Sequence, residues 1–415
     1  MEIFANDARF EVAIVSTYDY QIQQATNIPL SAVRKRERSA EQNSWHVGST
    51  TFQKTTPFVR WPIIKPTFAV LARGAKLIDE ILDAIQDYRT LKAAFRQFSP
   101  QVIFLQTLLY PSYLAYFLPR DAPVMITFWN GDLTWAAKWR GIEKLFKKWI
   151  VRHGIKIASA ITVNSRTALD ACLRLGAPAA KTNLIYYPGV DLERFTPGSK
   201  AEARKSLGLI ASKVVLCPRG FGGYLNSDVI IEAAARVRRQ YPDSIFLFLS
   251  DVGGKEQWVG HVRRARELGI EQALRWDGRV SWEKMPLYYH AADVMVSISS
   301  HDSLPNCMLE AMACGVPLVM GDIPQIREWV TDSINGYLAP PRDPEAVAEK
   351  ITRIFEDGDQ LVATFVKQCR ERVIRDANSV RSAELVKTIT YRLAITGRRG
   401  PLVQPDVACL GSRKK

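Results

Sequence analysis

Short apolar runs alternate with amphipathic segments along most of the chain. The runs are three to six residues long, the length of strands that are buried on both faces of a sheet. They predict strands at Glu11–Ser16, Val102–Leu105, Val124–Phe128, Ala160–Val163, Ile185–Tyr187, Lys213–Cys217, Ile245–Leu249, Leu274–Trp276, Val294–Ile298 and Pro317–Met320.

The segments between these runs have apolar residues every three or four positions, which predicts helices. These helices are predicted at Phe68–Phe98, Trp135–Lys156, Asp228–Arg239, Gly260–Leu268, Trp282–Ala291, Asn306–Cys314, Asp343–Phe355 and Gln360–Ile395. Because strands and helices alternate in both halves of the chain, the fold class predicted is α/β with two parallel, doubly wound sheets. A hairpin-like turn and strand are predicted at Asn335–Leu338.

A Pro- and Gly-rich run at Pro188–Gly198 is the best candidate for a domain boundary. It predicts a first domain over residues 1–197 and a second over 198–375, followed by helix 376–395. The tail, 396–415, is polar, basic and rich in Pro and Gly, so we expect it to be disordered.

The segment SISSHDSLPNCMLEAMACGVPLV (Ser297–Val319) predicts a strand, a polar turn and a helix that begins near Asn306. The free N–H groups and positive end of such a helix bind anions. Two carboxylates, Asp302 and Glu310, lie eight residues apart at the helix start and can accept hydrogen bonds from hydroxyl groups. The pattern suits a sugar nucleotide, but an ordinary capped strand–helix unit explains the spacing equally well.

Composition narrows the class of partner. The 415 residues are 47% hydrophobic and 24% charged, as in globular proteins of two domains, and the net charge of +14 favours an acidic partner. Nucleic acid, anionic lipid and a phosphorylated substrate all fit that charge, but no nucleic-acid motif is present, so we exclude nucleic acid. Six scattered cysteines, the absence of a basic leader and the lack of an apolar run of about 18 residues predict a cytoplasmic protein.

The predicted helix Trp135–Lys156 carries seven basic residues against one acid, Glu143, and an apolar stripe that includes Trp149. A basic helix with a Trp-bearing face suits an anionic membrane surface, which would place the protein at the inner face of the plasma membrane. The candidates for this contact are Lys144, Lys147, Lys148 and Trp149. The alternative is that the stripe packs on the sheet and the charges are merely solvated.

Several segments, taken in order, identify a family. They are FWNGDL (Phe128–Leu133), ITVNSRTALD (Ile161–Asp170), YYPGVDLERFTP (Tyr186–Pro197), CPRG (Cys217–Gly220), DGRV (Asp277–Val280), Leu287–Val319 and NGYLAPPRDPEAVAEKI (Asn335–Ile351). Together they resemble the retaining glycosyltransferases of family 4, over most of residues 120–355. The resemblance implies a GT-B fold, with two Rossmann-like domains facing a cleft and a C-terminal helix that crosses back to the first domain.

The resemblance also implies an activity. A sugar would pass from a UDP- or GDP-linked donor to a hydroxyl of a glycan or lipid-linked saccharide, with retention at the anomeric carbon. No cofactor and no metal ion would be needed.

The residues at positions that match the family's motifs are expected to have the roles known in the family. Glu310 would hold the ribose, Asp302 would contact the donor sugar, and Arg219 would neutralise the diphosphate. Asp302 replaces a glutamate and is one methylene shorter. Asp132, in the loop after a predicted strand, would lie on the acceptor side. The remaining donor-binding positions are Ser303, Leu304 and Asn306 near the phosphates, Asn226 in the Gly-rich loop, and Arg279 and Val280 at the base.

Two departures from the family pattern leave other functions open. Pro305 stands where the family has a glycine, and no lysine follows Arg219 at the family's position, where Tyr224, Leu225 and Asn226 stand instead. A lost cation can cost a few kcal/mol of transition-state stabilisation. The chain could therefore be a scaffold that binds nucleotide sugars or a membrane surface without turnover. A nucleotide-sugar epimerase of related fold is the rival enzyme, and it would isomerise the donor without an acceptor.

Overall fold

The computed structural model describes residues 35–38, 43–47, 50–53, 92, 100–106, 122–129, 133, 141–250, 252–357 and 359–396. The predicted strand Glu11–Ser16, nearly all of the predicted helix Phe68–Phe98, and the candidate Asp132 lie outside these residues, as does the tail after residue 396.

The described strands form three sheets. A small antiparallel sheet contains β1 (Lys35–Arg38), β2 (Asn43–Val47) and β3 (Thr50–Gln53). The second sheet is parallel, in the order β4-β5-β6-β7: β4 (Ile103–Gln106), β5 (Val124–Phe128), β6 (Ala160–Val163) and β7 (Thr182–Leu184). The third is also parallel: β8 (Lys213–Cys217), β9 (Ser244–Phe248), β10 (Leu274–Trp276), β11 (Val294–Ser297), β12 (Leu318–Gly321) and β13 (Tyr337–Ala339).

Helices follow the strands of both parallel sheets. The α-helices are α1 (Gly141–Ile157), α2 (Arg166–Arg174), α3 (Lys200–Leu207), α4 (Ser227–Gln240), α5 (Gly254–Glu267), α6 (Met285–Ala291), α7 (Asn306–Cys314), α8 (Pro324–Arg327), α9 (Pro344–Glu356), α10 (Asp359–Asp376) and α11 (Ser379–Thr396). Short 3₁₀ turns lie at Ala179–Lys181, Glu271–Ala273 and Trp282–Lys284. The α/β class predicted from the alternation of apolar runs is confirmed.

The third sheet has the order β10-β9-β8-β11-β12-β13, so the direction of winding reverses between β8 and β11. These two strands are hydrogen-bonded neighbours, with Val215 opposite Val294. Both side chains are fully buried, because helices cover both faces of the sheet. In open α/β sheets, ligands bind in the crevice at the carboxyl ends of the strands where the winding reverses.

Three predicted elements were placed wrongly. The strand predicted at Ile185–Tyr187 is β7, which ends at Leu184, because its polar residues Thr182 and Asn183 do not form an apolar run. The turn and strand at Asn335–Leu338 do not make a hairpin, since β13 pairs in parallel with β12.

The helical tract predicted at Gln360–Ile395 is two helices, α10 and α11. Tertiary and local hydrogen bonds both mark the break: Val190 N donates to Ala377 O at 2.8 Å, and Ser379 N donates to Val190 O at 3.0 Å. Gly189 makes this contact feasible, because its φ is +76° and a Cβ there would lie 2.5 Å from Ala377 O. Asn378 Oδ1 caps α11 by accepting from Val380 N at 2.9 Å.

Helix α11 packs on the sheet of the first domain, although it comes last in the described chain. Its buried residues Val386, Ile389 and Leu393 form one hydrophobic cluster with Met125 and Ala160. Burial of aliphatic side chains of this size stabilises such a contact by roughly 1.5–3 kcal/mol each.

Helix α1 packs on the second sheet through Val151 and Ile155, which are almost fully buried. Leu145 and Trp149 lie on another side of the helix and remain 68% and 54% exposed. Trp149 therefore does not belong to the face that covers the sheet. No helix within the described ranges is long and apolar enough to cross a membrane.

Candidate functional site

The N-terminus of α7 lies at the carboxyl end of β11, beside the point where the winding of the sheet reverses. Pro305 is the N-cap residue; its side chain makes no capping hydrogen bond, and the first turn contains no acidic residue. The first N–H groups of a helix have no acceptors within it, so those of Asn306 and Cys307 are available to an anion. Asn306 is exposed, whereas Leu304 packs in the core and anchors the turn.

Arg219 and Asp302 form an ion pair at the same place. Arg219 follows β8 and Asp302 follows β11, and Arg219 Nη1 donates to Asp302 Oδ2 at 2.5 Å. The two side chains are 25% and 12% exposed, so the pair is largely shielded from water but not fully enclosed. Burial by itself lowers the pKa of Arg219, but Cys307 and Asp302 raise the pKa above its ordinary value. The guanidinium therefore stays charged and has N–H donors to spare.

Cys307, the second residue of α7, lies close enough to Arg219, Glu310 and Asp302 for their charges to act on its thiol. Burial raises the pKa of its thiol to about 12, against the lowering effect of Arg219. The thiol is therefore neutral at physiological pH. It lines the site as a small, weakly polar group and is not a nucleophile.

Glu310 points from the second turn of α7 to a tyrosine that the sequence did not identify. Tyr289 Oη, on α6, donates to Glu310 Oε2 at 2.7 Å. Tyr289 is fully buried, which fixes the orientation of the carboxylate. Burial raises the pKa of Glu310, and the hydrogen bond from Tyr289 opposes that rise. Among the described residues none donates to Oε1, so this oxygen can accept a hydrogen bond from a ligand.

The turn after β10 carries Arg279 and Val280. Arg279 is exposed, and Val280 is half-buried against the core of the second domain. Ser250 holds this turn: its N–H donates to Gly278 O at 2.6 Å, and its carbonyl accepts from Trp276 Nε1 at 2.9 Å. The turn is thereby fixed at the carboxyl end of β10.

Asn226 is placed differently from the other candidates. It is fully buried, and its Nδ2 donates to Ile298 O at 2.7 Å and to Ser300 Oγ at 2.6 Å. Its φ of +53° lies in the left-handed region that asparagine tolerates. The side chain therefore ties the Gly-rich loop to the end of β11.

The first domain contacts this site through the turn between β6 and α2. Ser303 Oγ donates to Asn164 Oδ1 at 2.7 Å. Nearby, the carboxylate of Glu328 accepts hydrogen bonds from Arg166 N at 2.8 Å and from Thr167 N at 2.7 Å. The second domain thus caps the N-terminus of α2, a contact that no local sequence signal reveals.

We expect Glu328→Ala to destabilise the protein by about 1–2 kcal/mol, because two N–H groups at the start of α2 lose their acceptor. Glu328→Gln keeps an acceptor oxygen and should lose less. Urea unfolding of both variants measures the difference. Equal stability of the alanine variant and the wild type would show that this contact contributes nothing.

Most of the candidates thus fall into three groups. Arg219, Asp302 and Ser303 form one bonded group at the start of α7, and Glu310 lies on the same helix. Arg279 and Val280 lie on a separate turn at the carboxyl edge of the sheet. The membrane candidates lie on α1, in the other domain, where Lys144 and Lys148 are exposed.

Comparisons with known proteins agree on the family. Residues 199–372 match the family model for glycosyl transferases group 1, and residues 67–194 match that for Glycosyltransferase Family 4. The chain is similar to a D-inositol 3-phosphate glycosyltransferase of Saccharomonospora viridis, 34% identical over 204 residues that cover 48% of this chain and 47% of that protein. A protein with the same description from Geodermatophilus obscurus is 35% identical over 195 residues, which are 45% of this chain and 43% of that protein. The chain spans about half the length of these curated relatives.

Solved structures show the fold. HepE of Anabaena, crystallised with UDP and glucose, superposes with a TM-score of 0.63 at 19% identity, over 73% of this chain and 81% of that chain. Sucrose-phosphate synthase from Thermosynechococcus elongatus superposes with a TM-score of 0.64 at 23% identity, over 76% and 79%. The GT-B fold predicted from the sequence is thereby confirmed.

Proposed function

Since the chain belongs to the family 4 glycosyltransferases, we propose that it transfers a sugar from a UDP- or GDP-linked donor to a hydroxyl acceptor, with retention at the anomeric carbon. The observation that carries this proposal is the convergence of a free helix N-terminus, Arg219 and Glu310 where the winding of the third sheet reverses. That is where open α/β sheets bind nucleotides.

The donor is proposed to bind the second domain in an extended form. Its diphosphate lies against the N–H groups of Asn306 and Cys307 and near Arg219, which together supply positive charge. Oε1 of Glu310 accepts from the ribose hydroxyls. The base of the nucleotide lies beside Arg279 and Val280, on the turn after β10.

The acceptor hydroxyl enters from the first domain. Its oxygen bonds to the anomeric carbon on the face from which the diphosphate leaves, while the bond from that carbon to the phosphate oxygen breaks. The proton of the hydroxyl passes to the departing phosphate oxygen. Arg219 stabilises the negative charge that develops there, within a site that is largely shielded from water. Asp302 orients Arg219 and lies where the donor sugar is expected.

The acceptor is proposed to be a glycan or a lipid-linked saccharide reached at a membrane surface. Helix α1 supports this part of the proposal, because exposed Lys144 and Lys148 flank exposed Leu145 and Trp149. Basic groups attract anionic lipids, and an indole ring inserts at the headgroup level.

We expect reversal of charge at Lys144, Lys147 and Lys148 to glutamate to release the protein from anionic vesicles at low salt. Each basic residue near such a surface contributes about 1 kcal/mol of binding. The control reverses three exposed basic residues elsewhere, Arg239→Glu, Lys255→Glu and Arg263→Glu, with the same change in net charge. Vesicle sedimentation measures both. If the two triple variants behave alike, α1 is not the membrane contact.

A thermal-shift screen of nucleotide sugars tests the donor. A ligand at one hundred times its dissociation constant stabilises the folded state by about 2.7 kcal/mol. We expect a rise in melting temperature with one or a few UDP- or GDP-sugars, and with the matching nucleoside diphosphate. No shift with any nucleotide sugar would contradict the proposed function.

A further inference from the structure

Asn164 holds an unpaired hydrogen-bond donor at the contact between the two domains. It follows β6 directly and is only 2% exposed. Its Oδ1 accepts from Ser303 Oγ at 2.7 Å, whereas its Nδ2 is buried and has no partner among the residues that the structure describes. Leaving a buried polar group unpaired costs about 1–3 kcal/mol, so native structures rarely do so without a reason.

The residues around Asn164 Nδ2 belong to the proposed binding site for the nucleotide sugar. Ser303, the partner of Asn164 Oδ1, donates its backbone N–H to Asp302 Oδ1 at 2.9 Å. Asp302 in turn holds Arg219. The amide of Asn164 is therefore two hydrogen-bonded groups away from the guanidinium that would face the diphosphate.

Asn183 shows what a purely structural asparagine looks like in the same sheet. It lies on β7, next to β6, and its Nδ2 donates to Ile161 O at 3.1 Å and to Lys181 O at 3.3 Å. The unpaired state of Asn164 Nδ2 is thus not a general property of asparagines at this sheet.

We propose that Asn164 is a donor-binding residue contributed by the first domain, whose Nδ2 donates to an oxygen of the bound nucleotide sugar. That oxygen belongs either to the diphosphate or to the transferred sugar. The inference rests on the proposed function, because it takes a nucleotide sugar as the ligand. In this arrangement Ser303 occupies Oδ1 of the amide and leaves Nδ2 for the ligand.

This arrangement couples binding to the contact between the domains. Asn164 lies on the first domain, and Ser303 with the helix N-terminus lies on the second. A donor held from both sides stabilises the closed arrangement, in which water is excluded from the reacting atoms.

Two substitutions test the inference by calorimetry of the full chain. Asn164→Asp keeps an acceptor for Ser303 but lacks the N–H donor, and Asn164→Leu keeps the branched shape without either polar atom. We expect both to bind the nucleotide sugar at least tenfold more weakly than the wild type. Because Asn164→Leu also removes an unpaired buried donor, the ligand-free variant should lose little stability, which a structural asparagine would not show.

Asn183→Leu is the matched control. It should lower the melting temperature, because two backbone acceptors lose their donor, and it should leave the affinity for the nucleotide sugar unchanged. Comparing nucleotide sugar with nucleoside diphosphate identifies the oxygen: equal losses for both ligands place it on the diphosphate, and a loss confined to the nucleotide sugar places it on the sugar.

Wild-type affinity in both Asn164 variants would overturn the inference while leaving the proposed function intact. Wild-type affinity for the nucleotide sugar in Asn164→Asp, with weaker binding in Asn164→Leu, would also overturn it, since the asparagine would then act only by orienting Ser303. A wild-type protein that binds no nucleotide sugar would overturn the proposed function and this inference together.

Discussion

Glu310→Ala is expected to abolish measurable binding of the nucleotide-sugar donor while the protein stays folded. An ionised carboxylate that accepts hydrogen bonds from ribose hydroxyls gains about 1.5–3 kcal/mol per bond. Loss of two such bonds weakens binding by roughly 10²-fold or more. Titration calorimetry with the nucleotide sugar measures the affinity, and circular dichroism reports the fold. Unchanged affinity would refute the assignment of Glu310 to the ribose.

Glu310→Gln separates binding from stability. Burial raises the pKa of Glu310 above its usual value of 4.5, so the folded state disfavours the ionised form. The stability that the group contributes is therefore full below the unfolded-state pKa and is lost as pH rises through the higher folded-state pKa. At neutral pH the glutamine variant should be at least as stable as the wild type, yet it should bind the donor more weakly. Lower stability together with intact binding would contradict both expectations.

Arg219→Ala is expected to lower turnover by roughly 10²–10³-fold. Removal of one preorganised hydrogen-bond donor that stabilises developing negative charge costs about 2.7–4 kcal/mol of transition-state stabilisation. The affinity for the nucleoside diphosphate should fall as well. Steady-state kinetics under donor saturation measures the first effect, and calorimetry measures the second.

The ion pair complicates this substitution, because Arg219→Ala leaves Asp302 without its partner. An unpaired, shielded carboxylate destabilises the fold by itself. The double variant Arg219→Ala, Asp302→Asn removes that penalty. We expect it to regain stability without regaining turnover. If turnover returned together with stability, Arg219 would have a structural role only.

The sequence predicted the fold well where burial leaves a simple pattern. Strands such as β8 and β11 are buried on both faces and therefore appear as unbroken apolar runs. β7 was misplaced because Thr182 and Asn183 interrupt that pattern. The break between α10 and α11 depends partly on hydrogen bonds with Val190, far away in the sequence. Its local signal is Asn378, whose side chain caps α11, and the prediction of a single helical tract overlooked it.

The sequence named candidate site residues but not their arrangement. Glu310, Asp302 and Arg219 stand out through motif spacing, whereas their pairings depend on which strands are neighbours. Arg219 and Asp302 are 83 positions apart and meet because β8 and β11 pair.

The residues that the sequence missed share one property. Tyr289, Asn164 and Glu328 act through partners on other elements, and their own neighbours in sequence carry no signal of this. Asn164 offered the only hint, a polar residue at the carboxyl end of an apolar strand.

Acceptor-dependent release of nucleoside diphosphate tests the proposed reaction most directly. The full chain is incubated with the donor found by thermal shift and with a panel of glycan and lipid-linked acceptors, and the free diphosphate and the donor are quantified. We expect diphosphate release that requires an acceptor and falls by roughly 10²–10³-fold in Arg219→Ala. A donor that binds but is never cleaved, or one that is isomerised without an acceptor, would contradict glycosyl transfer.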